Sequence, residues 1–387
     1  MFIGMSQCDT SNPQPIDLTV NQDFVGRTTE FAFDFVKELE KEEAGKNFFV
    51  SPLSLHMALG MLLNGSDGSS KEELLNTLNL KGLDDQLINT SYSELIDKLP
   101  KADPKVTNTL ANSIWQREGF NVEKSFLDIM KETFNAELYQ EPFNDATLKK
   151  INQWASDNTN AKIDEILTEI SADQVMFIIN ALYFKGDWAL QFDKEKTQKV
   201  DFAGLSGTQK VDMMSALDTF SYADMTKYQV LEMDYGSGNY AMRVMLPNEE
   251  VSVVELINTL DKDEWDQMSK AMRVGKVDLR FPKVKLEYNK KLNNVLAAMG
   301  MPSLFSSSAD LSKISPPAGR LVVGFVKQDA FIEIDEEGTE AAAVTTIGIE
   351  LTSAPMYPVF NCNRPFVFTI YEKSSGTVQF VGKILNL

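Results

Sequence analysis

The 387-residue sequence predicts an α+β fold made as one large domain. Helical periodicities crowd the first half of the chain and β-rich runs the second. The two kinds do not alternate regularly, which disfavours a doubly wound nucleotide-binding sheet. No repeat, low-complexity tract or Gly/Ser linker interrupts the chain after residue 22, so composition offers no internal boundary. Residues 1–22 therefore read as a flexible N-terminal tail and 23–387 as the domain. With 43% apolar residues the chain can fill a sizeable core.

Taken in order, Phe24, Phe31, Phe35 and Leu39 recur at helical spacing in DFVGRTTEFAFDFVKELEKE. SPLSLHMALGMLLNG follows, with Ser51 as cap, Pro52 at the first helical position and Gly65 past the end. SSKEELLNTL opens on Ser70 and Glu73 at capping-box spacing, and TLKKINQWASDNT puts Leu148, Ile151 and Trp154 on one face. The first half is thus expected to be mainly helical. Beyond it, QVMFIINALYFKGDW carries a long apolar run. YAMRVMLP, KVDLRFPKVKLEY, LVVGFVKQDAFIEID, PFVFTIYE and TVQFVGKIL are rich in the β-branched and aromatic residues that strands favour.

Charge and chemistry narrow the function. Lys plus Arg number 37 against 56 Asp plus Glu, a net charge of −19 that repels a phosphate backbone over most of the surface. Neither nucleic acid nor heparin is an expected partner. Cys8 and Cys362 form no disulfide framework and no metal-ligand pattern. The opening MFIGMSQCDTSNPQP lacks a basic start, its apolar run is short for a signal peptide, and no later stretch approaches a bilayer span. Cys8 reads as an ordinary free thiol, with a bacterial lipid-attachment site as the alternative.

His56 is the single histidine, so any Ser-His-Asp or Cys-His site would have to use it, and a zinc motif with two histidines is impossible. It lies in an apolar helix, where a packed histidine is the expectation. There is no phosphate-cradling GxxxxGK[ST], and YGSGNY, lacking the third glycine of a dinucleotide loop, reads as a hairpin turn. Asp335, Glu336 and Glu337 could in principle do acid/base work, but read as a solvated acidic turn. Asn64 and Asn89 begin matches to the glycosylation pattern, which is frequent by chance. Enzymatic activity and a cofactor are not expected.

One stretch stands apart, EEGTEAAAVTTIGIELTSAP. Side chains alternate across a strand, so Thr339, Ala341, Ala343, Thr345, Ile347, Ile349 and Leu351 would share one face, small and then apolar. The other face, Glu340, Ala342, Val344, Thr346, Gly348, Glu350 and Thr352, carries both charges. This is a strand pattern with an odd face fit for burial, yet its three alanines bury little area. The segment is expected to be loop in one state and strand in another.

The blocks NFFVSPLSLHMALGMLLNGS, FIINALYFKGDWALQFD, MDYGSGNYAMRVMLP, DLRFPKVKLEYN, DAFIEIDEEGTEAAAVT and RPFVFTIYEKSSGTVQFVGKI resemble, in order, those of the serpin family. The likeness runs from about Asp23 to Leu387 and is closest in kind to a bacterial member. It implies three β-sheets, eight to nine helices and an exposed reactive loop, about residues 336–360, that baits proteases. By resemblance Glu336 is the hinge glutamate and Gly338, Thr339, Glu340, Ala341, Ala342 and Ala343 the mobile hinge. Ser51, Ser54 and Asn180 lie where the main sheet opens, and Trp188 where insertion begins. Gln328 falls where many animal members carry a histidine, which puts pH-linked control at that position in doubt.

The mechanism that the resemblance implies is a suicide one. A serine protease cleaves the loop, is held as an acyl-enzyme, and is dragged and distorted as the freed loop enters the main sheet. Counting from Glu336 places the reactive bond at Thr352-Ser353, with Leu351 and Ala354 as neighbours; counting back from NRPF gives Ala354 instead, but Pro355 would then follow the attacked residue, which most serine proteases tolerate poorly. No Lys or Arg occurs in residues 338–363, so trypsin-like targets are not expected. Elastase-like and subtilisin-like enzymes suit the small side chains, and chymotrypsin-like enzymes suit Leu351. The expected molecule is a monomer acting in an extracellular, periplasmic or cell-surface setting. A non-inhibitory carrier or storage serpin is the alternative, and a hydrolase using His56 a remote one.

Overall fold

Helix α1 (Gln22–Glu42) begins where the Asn21 side chain accepts from the Phe24 amide, and its apolar stripe buries Phe24, Phe31, Phe35 and Leu39. The structure, a computed structural model, describes residues 17–315, 321–339 and 357–387. Just before α1, Leu18 is buried and its amide donates to Ser374 Oγ at 2.9 Å. β1 (Phe48–Val50) leads into α2 (Pro52–Gly65), where Ser51 caps the Ser54 amide and Pro52 takes the first position. Gly65 ends the helix from inside it; Ser66 is the C-cap.

The capping box expected at Ser70 and Glu73 does not form. α3 (Gly68–Thr77) starts three residues earlier, with Asp67 at the N-cap, and both side chains are turned to residues near 303: Ser70 Oγ lies 3.1 Å from Ser303 Oγ, and Glu73 Oε2 accepts from the Ser303 amide and hydroxyl. α4 (Asp85–Lys98) follows. The first half is mainly helical as expected, and the strands unforeseen within it are β2 (Val106–Arg117), of twelve residues, and, after α5 (Lys124–Phe134), β3 (Glu137–Glu141). α6 (Asp145–Asn158), with a capping box from Asn144 and Thr147, buries Ile151 and Trp154 in one cluster with Trp115, Phe177 and Ala181.

The remaining elements are β4 (Met176–Asp187), β5 (Gln198–Gly204), β6 (Gly207–Asp224), β7 (Tyr228–Tyr235), β8 (Tyr240–Pro247), α7 (Val253–Thr259) and α8 (Lys262–Ala271). β9 (Arg273–Pro282), β10 (Val284–Lys291), α9 (Asn293–Ala298), β11 (Lys327–Ile334), β12 (Gly338–Thr339), β13 (Val359–Asn361), β14 (Phe366–Glu372) and β15 (Val378–Ile384) complete the chain. YGSGNY is the hairpin turn between β7 and β8. The strand expected over LVVGFVKQDAFIEID is shorter, starting at Lys327.

Among the described residues these nine helices surround three sheets. The largest has the order β1-β15-β14-β8-β7-β6-β9-β13, with β5 against β6. β8, β14 and β15 are buried throughout and form the floor of the core. Arg243 is buried there, sandwiched by Trp265 and Tyr371 and paired to Glu232 at 2.6 Å. The second sheet has the order β12-β4-β2-β3 and the third is β10-β11. β4 and β11 face each other across a gap, with β12 at its upper end.

Candidate functional site

β4 and β11 bound a cleft of about 650 Å³, floored by Ser51, Ser54, Leu55 and Leu59 of the α2 region. β4 ladders with β2 along its whole length, and on its other edge with the two residues of β12. β11 ladders with β10. Alternation assigns the faces: Asn180, Leu182 and Phe184 of β4 and Gln328, Ala330 and Ile332 of β11 point inward, and Phe177, Ala181, Lys327 and Phe331 outward.

The upper end is a two-residue turn. Asp335 N donates to Gly338 O, and Asp335 Oδ1 accepts from the Glu337 and Gly338 amides. Gly338 pairs with Asp187 and Thr339 with Gly186. Gly338 has φ 149, and a Cβ there would overlap the Gly186 carbonyl, so no other residue fits. Thr339 is buried, its hydroxyl 3.0 Å from Tyr235 OH. Trp188 stacks on Tyr235, with centroids 4.3 Å apart, and donates Nε1 to Asp335 O at 3.0 Å. Main-chain bonds from Trp188 N to Glu337 O and from Phe192 N to Glu336 O complete the seat.

The acidic turn is not a solvated one. Glu336 is buried: its carboxylate accepts from Thr197 at 2.7 Å and pairs with Lys283 at 2.7 Å, and Glu337 pairs with Lys194. Burial pushes the Glu336 carboxyl up, but the bonds from Lys283 and Thr197 prevail and hold it below its usual range. The Lys194 ammonium is raised by its bond to Glu337.

Midway down, the inward residues form one polar network. Gln328 Oε1 accepts from Ser51 N at 3.2 Å and its Nε2 donates to Ser51 O at 2.7 Å. The Ser54 hydroxyl donates to Asn180 Oδ1, and Asn180 Nδ2 donates to Asn112 Oδ1 at 2.7 Å. Ser51, Ser54, Asn180 and Gln328, four sequence-chosen residues from three elements, are thus brought together beside the cleft, and Trp188 sits at its upper end. Glu340, Ala341, Ala342, Ala343, Leu351, Thr352, Ser353 and Ala354 lie outside the described residues, as does Cys8. Lys283, Thr197, Lys194 and Tyr235 were missed, since nothing local in their sequences marks them as partners of residues far along the chain.

His56 is fully buried. Its Nε2 donates to Leu78 O at 3.1 Å, leaving Nδ1 to accept from Tyr92 OH at 2.8 Å, and burial lowers its pKa to about 4. It is a core residue without access to substrate. The Asn64 and Asn89 side-chain amides bond each other at 2.9 Å. Among the described residues no group of histidine, cysteine and acidic side chains has a metal-holding arrangement.

An open cleft between two sheets, with the short strand β12 paired at its upper end, is the geometry that sets this site apart. A family model described as serpin (serine protease inhibitor) matches residues 27–387, and the chain belongs to the serpin family. It is 33% identical over 371 residues to an uncharacterized serpin-like protein of Thermococcus kodakarensis, covering 94% of this chain and 85% of that one. It is 32% identical over 369 residues to the leukocyte elastase inhibitor of Xenopus laevis, covering 92% and 97%. The thermophilic serpin tengpin in its native state superposes with a TM-score of 0.88 at 30% identity, covering 97% of this chain and all of that one. Human thyroxine-binding globulin complexed with thyroxine gives 0.85 at 26% identity, covering 94% and 98%.

Proposed function

We propose that the protein inhibits serine proteases as a suicide substrate, with residues 336–360 as its reactive loop and Thr352-Ser353 as the bond attacked. The observation that carries this reading is the cleft between β4 and β11 with β12 already paired at its upper end. Continued at the same register, the chain after Thr339 runs down the cleft between matching partners. Ala341 falls between Phe184 and Ile332, small against large. Thr345 falls between Asn180 and Gln328, a hydroxyl against the polar network. Ile347 falls between Ile178 and Val326. The odd face thus enters the core side, as Thr339 already does.

The chemistry needs nothing from this chain but a peptide bond. The protease serine oxygen adds to the Thr352 carbonyl, the bond to Ser353 breaks, and Ser353 leaves as an amine with the proton donated by the protease histidine. Thr352 stays esterified to the protease. Strand entry then competes with water for that ester. About a dozen ladder bonds at roughly 1 kcal/mol each supply on the order of 10 kcal/mol, enough to disorder a catalytic loop. An extracellular, periplasmic or cell-surface site of action and a monomeric state go with this reading.

Elastase-like and subtilisin-like enzymes are the proposed targets, with chymotrypsin-like ones through Leu351. Incubation with pancreatic elastase, subtilisin, chymotrypsin and trypsin tests this. An SDS-resistant adduct lacking residues 353–387 is expected with the first two and none with trypsin. Cleavage by elastase and subtilisin without any adduct would overturn it and favour a carrier, the reading that the likeness to thyroxine-binding globulin supports.

A further inference from the structure

The connection between α6 and β4, residues 159–175, lies over the outer mouth of the cleft, where Lys162, Ile163 and Ile166 line it. It is tied down firmly on the β2 side. Asn152 of α6 clamps it through Leu167 O at 2.7 Å and the Ile166 and Leu167 amides, and Leu167 is buried against Trp115, Trp154 and Phe177. Arg117 of β2 holds its end through Gln174 O at 2.9 Å and Ser171 O at 3.0 Å.

On the β11 side it is held across the gap. Lys327 Nζ, steadied by Asp329 at 3.0 Å, donates to Ile166 O at 3.1 Å. Lys162 Nζ stands 5.0 Å above the Phe331 ring. Both contacts join one bank of the cleft to the other. A strand that enters between β4 and β11 adds its own outward side chains beneath this connection and moves the two banks apart by one strand spacing, about 4.8 Å. Neither contact survives that change at its present length, whereas the Arg117 and Asn152 ties stay on one bank and are kept.

We infer that Lys327 and Lys162 clasp the α6–β4 connection across the cleft and set the rate at which a strand enters it. The inference rests on the strand-insertion reading above and assigns the two lysines as positioning residues for that step. The clasp holds the uncleaved protein in its open-cleft form and gives way once cleavage frees the entering chain.

The test follows heat-driven insertion of the uncleaved protein, which needs no protease and is read as the gain of urea resistance with time. Lys327→Met is expected to speed conversion about tenfold, the effect of one charge-assisted hydrogen bond. Lys162→Met is expected to give a smaller factor, and Lys327→Arg, which keeps the cation, to restore the slow rate. Arg117→Met serves as the control for general loosening: it lowers Tm but leaves conversion within about twofold. An unchanged rate in the correctly folded double variant Lys327→Met/Lys162→Met overturns the clasp, as does equal acceleration by Arg117→Met. Absence of any protease adduct alongside accelerated conversion would retire the inhibitor reading and keep the clasp.

Discussion

Gly338 and Glu336 make the turn from β11 to β12 possible, each by a different physical route. Gly338 is irreplaceable on steric grounds, so Gly338→Ala is expected to displace Thr339 from Tyr235 and lower the Tm of the intact protein, as calorimetry would register. Glu336 holds by charge. Its folded pKa is depressed, so its contribution is present above the ordinary carboxylate range and lost as pH falls through the folded value. His56 adds an earlier limb. Its pKa drops from 6.5 unfolded to about 4 folded, so its contribution is full above 6.5 and declines as pH falls toward 4. By pH 5 about 2 kcal/mol is expected to be lost. Urea unfolding at pH 7 and pH 5 measures this, and His56→Gln should flatten that limb.

At the scale of elements, the helices were legible because their caps and apolar stripes are local, as in α1 and α2. β2 was not. Its sequence VTNTLANSIWQR reads as polar, because Asn108, Asn112 and Ser113 are buried on it and find partners from elsewhere: Tyr240 OH for Asn108 and Phe134 O for Asn112. The capping-box spacing at Ser70 misled for the same reason, tertiary partners near residue 303 outbidding the local pattern. Of the site, the polar network came from resemblance, while the lysines that hold the acidic turn carried no local signal. On the proposed mechanism, function turns on the entry of residues 340–352 beside Thr339. Thr339→Arg is expected to abolish adduct formation while cleavage persists, since a guanidinium cannot replace a hydroxyl buried beside Tyr235. Gel analysis of a protease titration separates the two outcomes. In the α6–β4 connection, Ala161 has φ 57, a left-handed conformation that costs a non-glycine residue. Ala161→Gly is therefore expected to stabilise the protein by up to about 1 kcal/mol in urea unfolding.

The whole molecule is a large sheet-and-helix body with an open cleft between β4 and β11, the position that the proposed mechanism fills with a strand. The buried pair of Lys383 in β15 with Glu40 in α1 joins the two ends of the described chain. Filling the cleft adds a central strand without remaking the rest. The loop-cleaved protein is expected to melt on the order of 15 °C above the intact one, a shift that differential scanning calorimetry reads directly. No change on cleavage would count against insertion. β4 also sets a distance. Its twelve residues at about 3.3 Å each make a track roughly 40 Å long. On the proposed mechanism, whatever is covalently fixed to the far end of the entering chain would be hauled from one pole of the sheet toward the other. A captured enzyme of comparable breadth would then arrive at the opposite end of this body, so the length of one strand fixes how far the cargo travels.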